Sequence, residues 1–157
     1  MSGQTFSAGV PPTGAELTAI QYQNEVNISN IAVTSGTDTT TSSSYVNMAG
    51  SGSVTSVSFT KVLSVTNIKV SMAVGWENAS NTSLVKFGVL VDGTDYDVCQ
   101  SILNATLTIG FAAGDVIITG VAAGTYTIQG RWKRAGGTGT PSRSVNEWFS
   151  MTVAECT

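Results

Sequence analysis

From Tyr45 onward, apolar residues in this chain recur at every second position, a period that suits β-strands and not amphipathic helices. Residues 66–76 show it most plainly. Ile68, Val70, Met72, Val74 and Trp76 point one way, with Asn67, Lys69, Ser71, Ala73 and Gly75 opposite. Val57 and Phe59 alternate with Ser56, Ser58 and Thr60; Leu107, Ile109 and Phe111 alternate with Thr106, Thr108 and Gly110. Gly124 leads into Tyr126, Ile128 and Trp132 on one face, with Thr127, Gln129, Arg131 and Lys133 on the other. Phe149, Met151 and Val153 form a last apolar set, opposite Trp148, Ser150 and Thr152.

One hairpin can be derived with its register. Asp92-Gly93 is a favoured pair for a two-residue type I′ turn. Pairing Val91 with Thr94 sets Val89 against Tyr96 and Phe87 against Val98, which puts those apolar side chains on one face. Lys86, Gly88, Asp95, Asp97 and Cys99 then share the other face with Leu90, and a one-residue slip would destroy the agreement. With a strand near residues 45–48, about eight strands separated by glycine-rich turns are expected. The fold class is all-β, an antiparallel β-sandwich of jelly-roll type over residues 45–157.

The residues before it behave differently. Gly9-Val10-Pro11-Pro12 must be extended, since each proline restricts itself and its predecessor. Thr13 and Glu16 have capping-box spacing, so a helix of two to three turns is expected over residues 17–24. Leu17, Ile20 and Ile28 form a thin apolar stripe at helical spacing, and so short a helix needs something to dock on. Residues 1–33 therefore read as an anchoring arm, and the polar run of residues 34–44 as a linker or exposed loop.

Composition narrows function. Only 11% of residues are charged, against about 25% in soluble domains, so the surface loses little charge hydration when packed on a partner. That favours a subunit of an assembly over a freely diffusing enzyme. The net charge is −3, and the one basic cluster, Arg131, Lys133 and Arg134, is too small to hold a nucleic-acid backbone. No apolar run has the ~20 residues of a membrane span. The first residues lack a basic-then-apolar leader, which points to folding in a cytoplasm.

The chain has no histidine, which excludes Ser-His-Asp and Cys-His nucleophilic sites, histidine-bearing zinc sites and histidine bases together. Asp92, Asp95 and Asp97 invite a calcium reading, but their spacing departs from an EF-hand loop and no glutamate closes the set. Asp95 and Asp97, roughly 7 Å apart on one strand face, are the residual enzyme reading, an inverting glycosidase pair. A structural turn and a solvated face account for them better. Neither a cofactor nor a metal site is expected, and catalysis is not. Cys99 and Cys156 read as free, buried thiols; the sequons at Asn27, Asn78, Asn81 and Asn104 are those a Ser- and Thr-rich chain acquires by chance.

Trp148 is the informative single residue. It falls opposite Phe149, Met151 and Val153, outside the domain core. Three roles stay open for it: a cap on a hydrophobic edge of its own subunit, a subunit contact, or a sugar-stacking platform.

Two stretches resemble a known group. Thr5-Phe6-Ser7-Ala8-Gly9 followed by Glu16-Leu17-Thr18-Ala19 is similar to the opening of phage tail, fibre and head-appendage proteins. Pro11-Pro12 is an insertion relative to that pattern. Ala122-Ala123-Gly124-Thr125-Tyr126-Thr127-Ile128-Gln129-Gly130-Arg131-Trp132-Lys133, with Phe149-Ser150-Met151-Thr152-Val153-Ala154-Glu155, resembles the closing hairpin of small phage fibre and decoration domains. The resemblance covers both ends and leaves out the middle. It implies a jelly roll that trimerises and projects from the virion, with capsid or tail proteins of the same phage as partners. The N-terminal segment would bind the particle through Phe6, Leu17, Ile20 and Ile28. A host-surface glycan bound at Trp148 is the alternative partner; nucleic acid and membrane are not expected.

Overall fold

A computed structural model of the chain describes residues 25–28, 38–48, 55–63, 66–78, 81–104, 109–143 and 148–156. Among them the strands are β1 (Glu25–Ile28), β2 (Asp38–Thr39), β3 (Val46–Asn47), β4 (Ser56–Lys61), β5 (Asn67–Asn78) and β6 (Ser83–Val91). They continue as β7 (Thr94–Leu103), β8 (Ile109–Ile118), β9 (Gly124–Gly137), β10 (Pro141–Arg143) and β11 (Phe149–Cys156). The described residues contain no helix; the expected helix of residues 17–24 lies outside them.

Every ladder is antiparallel, and the strands form two sheets. In the first, β5 is central, with β11 on one edge and β8 on the other; β1 flanks β11, and β10 with β2 continues along the β11 edge of β5. In the second, the order runs from β3 and β4 through β9 and β6 to β7. The fold is thus an all-β sandwich of two antiparallel sheets.

The alternation read from the sequence is what joins the sheets. Ile68, Val70, Val74 and Trp76 of β5 are fully buried, as are Phe149, Met151 and Val153 of β11. They face Val85, Phe87 and Val89 of β6, Ile128 and Trp132 of β9, and Phe59 of β4. At the centre Phe87 lies between two indoles, 6.3 Å from Trp76 edge-on and 6.4 Å from Trp132 stacked. Such pairs contribute about 0.5–1.5 kcal/mol beyond the area they bury.

The Asp92-Gly93 turn has the expected hand, with φ of 48° and 76°, and Val91 pairs with Thr94 and Val89 with Tyr96. Beyond Gly88 the register departs from expectation. Phe87 pairs with Cys99 and not with Val98, because a bulge makes Val98 and Cys99 together oppose one residue. Both then pack partly against the core, so Cys99 is half-buried where the simple register put it outside.

β8 shows a second departure. Its core side chains are Ala112 and Ile118, whereas Ile109 and Phe111, the set read from the alternation, face outward and are 64% and 51% exposed. Glycine decides this. A Cβ on Gly114 would lie 2.6 Å from the Val98 carbonyl oxygen, and one on Gly110 would lie 2.6 Å from a Leu103 methyl. The face carrying the glycines is the only one that can approach β7 so closely.

Two short strands fall in stretches read as arm and linker. Glu25–Ile28 pairs with β11, Ile28 opposite Met151, so Ile28 lies in a ladder and not on a helical stripe. Asp38–Thr39 pairs with Ser142 and Arg143. Pairing there needs only backbone groups, which a polar run supplies as well as an apolar one.

Candidate functional site

Trp148 immediately precedes β11. Its carbonyl accepts a 2.8 Å hydrogen bond from the Gly75 amide, which extends the Phe149–Val74 register by one residue. Phe149 is fully buried, so Trp148 must point outward, where it is 39% exposed. On the other side of β5, Phe111 pairs with Gly75. Trp148, Gly75 and Phe111 therefore form one row across three strands. The outer two backbones stand roughly 9–10 Å apart by sheet spacing, yet the ring centres are 4.9 Å apart with a 37° tilt. The rings can close that gap only by leaning toward each other over a residue without a side chain. Gly75 is buried accordingly, although it lies on the outward face. Ile109 beside the pair extends the apolar surface, while Ile117, 55% exposed, lies toward the far end of β8, past Asp115 and beside Lys69.

Phe111 is the functional candidate that sequence reasoning missed. Its neighbours alternate correctly, but β8 is apolar at both parities, and only the close approach of Gly110 and Gly114 to β7 identifies the inner one. The particle-anchoring candidates Phe6, Leu17 and Ile20 lie outside the described residues.

The outward face of the second sheet is built of different chemistry. Asp97 accepts from the Tyr45 hydroxyl at 2.6 Å and from Lys86 Nζ at 2.5 Å, with Lys133 Nζ at 4.0 Å. Arg131 Nε donates to Asp95 at 3.0 Å, and its remaining nitrogens donate to Asn47 Oδ1 and to the Tyr45 carbonyl. Lys133 Nζ stands 4.1 Å from the centre of the Tyr45 ring, a cation–π contact. The hydrogen bond from Lys86, with that from Tyr45, holds the Asp97 carboxyl below the ordinary carboxylate range against the opposing effect of burial. Burial, reinforced by the bond to Asp97, raises the Tyr45 hydroxyl far above its usual value. Burial alone pushes the Cys99 thiol up to about 11, which keeps it protonated and poorly nucleophilic.

These charges are consumed among themselves. Asp95 and Asp97 each hold a cation, and Asp97 titrates in the direction opposite to that required of a general acid. Asp92 stands apart in the turn, and among the described residues no group of three His, Cys, Asp or Glu side chains could hold a metal ion. Asn78 is fully buried, with its amide donating to the Asn81 carbonyl and accepting from Ser83, so that sequon has no room for a glycan.

No family model matches the chain, and no curated protein matches it in sequence. Among solved structures, one similar chain is described as "Structure of Eiger TNF from S. frugiperda", at 10% identity and a TM-score of 0.47, covering 83% of this chain and 92% of that one. Another is "PRD1 vertex protein P5", at 10% identity and a TM-score of 0.43, covering 85% of this chain and 97% of that one. Likenesses at this level carry no argument about function.

Proposed function

We propose that this chain is a structural protein of a bacteriophage particle, a surface decoration, head-fibre or minor tail component whose domain is a jelly roll and assembles as a homotrimer. The strand orders β1-β11-β5-β8 and β4-β9-β6-β7, whose connections cross between sheets except at the β6–β7 hairpin, support the jelly-roll reading. The protein is made in the bacterial cytoplasm, joins the virion through its N-terminal segment, and needs neither cofactor nor catalysis. The observation that carries this is the division of labour between the two outward faces. The second sheet ties up its charges in ion pairs, with Ile102 exposed at one end, whereas the first presents Phe111, Trp148 and Ile109 bare beside the Lys69–Asp115 pair. A surface of that kind suits permanent contact with protein. The resemblance of the two ends of the sequence to phage appendage proteins supplies the kind of particle.

Deleting residues 1–24 tests the anchor and leaves β1 in place, because β1 belongs to the sheet. The truncated chain should fold but no longer add to particles that lack the protein, as read by co-sedimentation. Normal occupancy by the truncated chain would place the anchor elsewhere. The Phe111–Trp148 pair favours one second reading, a host-glycan adhesin, since tilted aromatic rings can stack on a sugar face. Binding on a glycan array that Trp148→Ala abolishes would support it.

A further inference from the structure

We infer that the bulge in β7 opens a binding site for one neutral sugar ring on the outward face of the second sheet, between Asp97 and Gln100. The site goes beyond the virion role and does not depend on it, and it lies on the other sheet from Trp148. Unbroken alternation would set outward side chains at every second position. The bulge instead places both Val98 and Cys99 between Asp97 and Gln100, which adds roughly 3 Å to the interval. Lys86 faces Gln100 across the β6–β7 ladder, and Gly88, opposite Asp97, has no side chain to fill the gap. The result is a cavity of about 160 Å³ lined by Lys86, Asp97, Val98, Cys99 and Gln100. A cavity of nearly this size in another fold holds one six-membered ring.

The lining selects the chemistry of the guest. Lys86 spends one ammonium proton on Asp97 at 2.5 Å and keeps the others, while Asp97 keeps lone pairs beyond those taken by Lys86 and Tyr45. The Gln100 amide brings both a donor and an acceptor. A purely apolar guest would strip water from these groups and return no hydrogen bond. An anion would sit against the Asp97 carboxylate, and a cation against Lys86, with Lys133 close behind. A hydroxyl both donates and accepts, so adjacent hydroxyls on a neutral ring can bridge the ion pair without breaking it. Val98 and Cys99, partly packed against the core, give an apolar floor to the C–H face of the ring. Tyr45, donating to Asp97 at 2.6 Å, fixes the carboxylate before the guest arrives.

The full chain, labelled for amide NMR, should be titrated with methyl pyranosides of glucose, galactose, mannose and N-acetylglucosamine, beside the corresponding free sugars. Glucuronate and glucosamine serve as the charged counterparts. A neutral pyranoside should shift the amides of residues 97–100 and the Gln100 side chain saturably, with a dissociation constant of about 1 mM for so small a contact. Preference for the glycoside over the free sugar would support the site and make its source the end of a glycan. Gln100→Ala should weaken binding roughly tenfold, Lys86→Met should abolish it, and the same spectra show whether each variant is folded. Trp148→Ala should leave it unchanged. The inference is overturned by the lack of a saturable shift at residues 97–100 with every neutral sugar, by tighter binding of a charged counterpart, or by binding that survives both Gln100→Ala and Lys86→Met. Shifts that Trp148→Ala removes would also overturn it and place the sugar on the first sheet. A chain that binds none of these sugars and still joins the particle refutes this site and leaves the virion role standing.

Discussion

Two phenylalanines give a sharp test of which face of β8 is the inner one. Phe87 is fully buried between Trp76 and Trp132, so truncating it opens a cavity between the sheets and removes two ring contacts. Burial and cavity together cost about 3–5 kcal/mol, and the lost ring pairs bring Phe87→Ala to about 4–6 kcal/mol. Phe111 is 51% exposed and touches one ring. Half the burial of a phenylalanine, with one ring contact, makes Phe111→Ala worth about 1–2 kcal/mol. At about 2–4 °C per kcal/mol for a chain of this size, the melting temperature should fall roughly 10–20 °C for Phe87→Ala and only a few degrees for Phe111→Ala. Urea titrations at dilute protein, where association does not contribute, provide the free energies, and the m-values should match the wild type. Equal losses at the two positions would mean that Phe111 is a core residue, and both the assigned parity of β8 and the exposed aromatic pair would be wrong.

Asp97, held below the usual carboxylate range by Lys86 and Tyr45, contributes stability that is present above its unfolded-state pKa and is lost as pH falls through its folded value. The wild-type melting temperature should therefore drop more steeply than that of Asp97→Asn below about pH 4, and parallel curves would count against the ion-pair network. Two glycines should respond differently to alanine. Gly93→Ala meets open space and suffers only the strain of φ 76°, about 1 kcal/mol. Gly88→Ala, whose Cβ would lie 2.3 Å from the Tyr96 carbonyl oxygen, should cost clearly more, and a reversed order in chemical denaturation would contradict the hairpin geometry.

What the sequence revealed follows from where its patterns were one-sided. β5 alternates strictly between Ile/Val/Met/Trp and small or polar residues, so its faces were legible, and the Asp92-Gly93 turn fixed the register of its hairpin as far as Gly88. β8 reads Ile-Gly-Phe-Ala-Ala-Gly-Asp-Val-Ile-Ile, apolar at both parities, and hydrophobicity alone cannot choose between them. The choice is made across space, where the bulge at Val98 and Cys99 meets Gly114. A bulge leaves no periodic trace of its own, so Cys99 was misplaced for the same reason. β2 carries no apolar signal, since its pairing with Ser142 and Arg143 runs through backbone groups. Trp148 was legible because parity from Phe149 left it one place to go. Its partner was hidden behind the ambiguity of β8.

The position of β11 bears on how the molecule is made. It is the last described strand in the sequence, yet it sits inside the first sheet, hydrogen-bonded to β1 on one side and to β5 on the other. During synthesis β5 emerges well before the strand that brings Phe149, Met151 and Val153 to its edge. The first sheet stays unfinished until residue 156 has been made, a long-range closure of the kind that slows folding and leaves an open strand edge available to neighbouring chains.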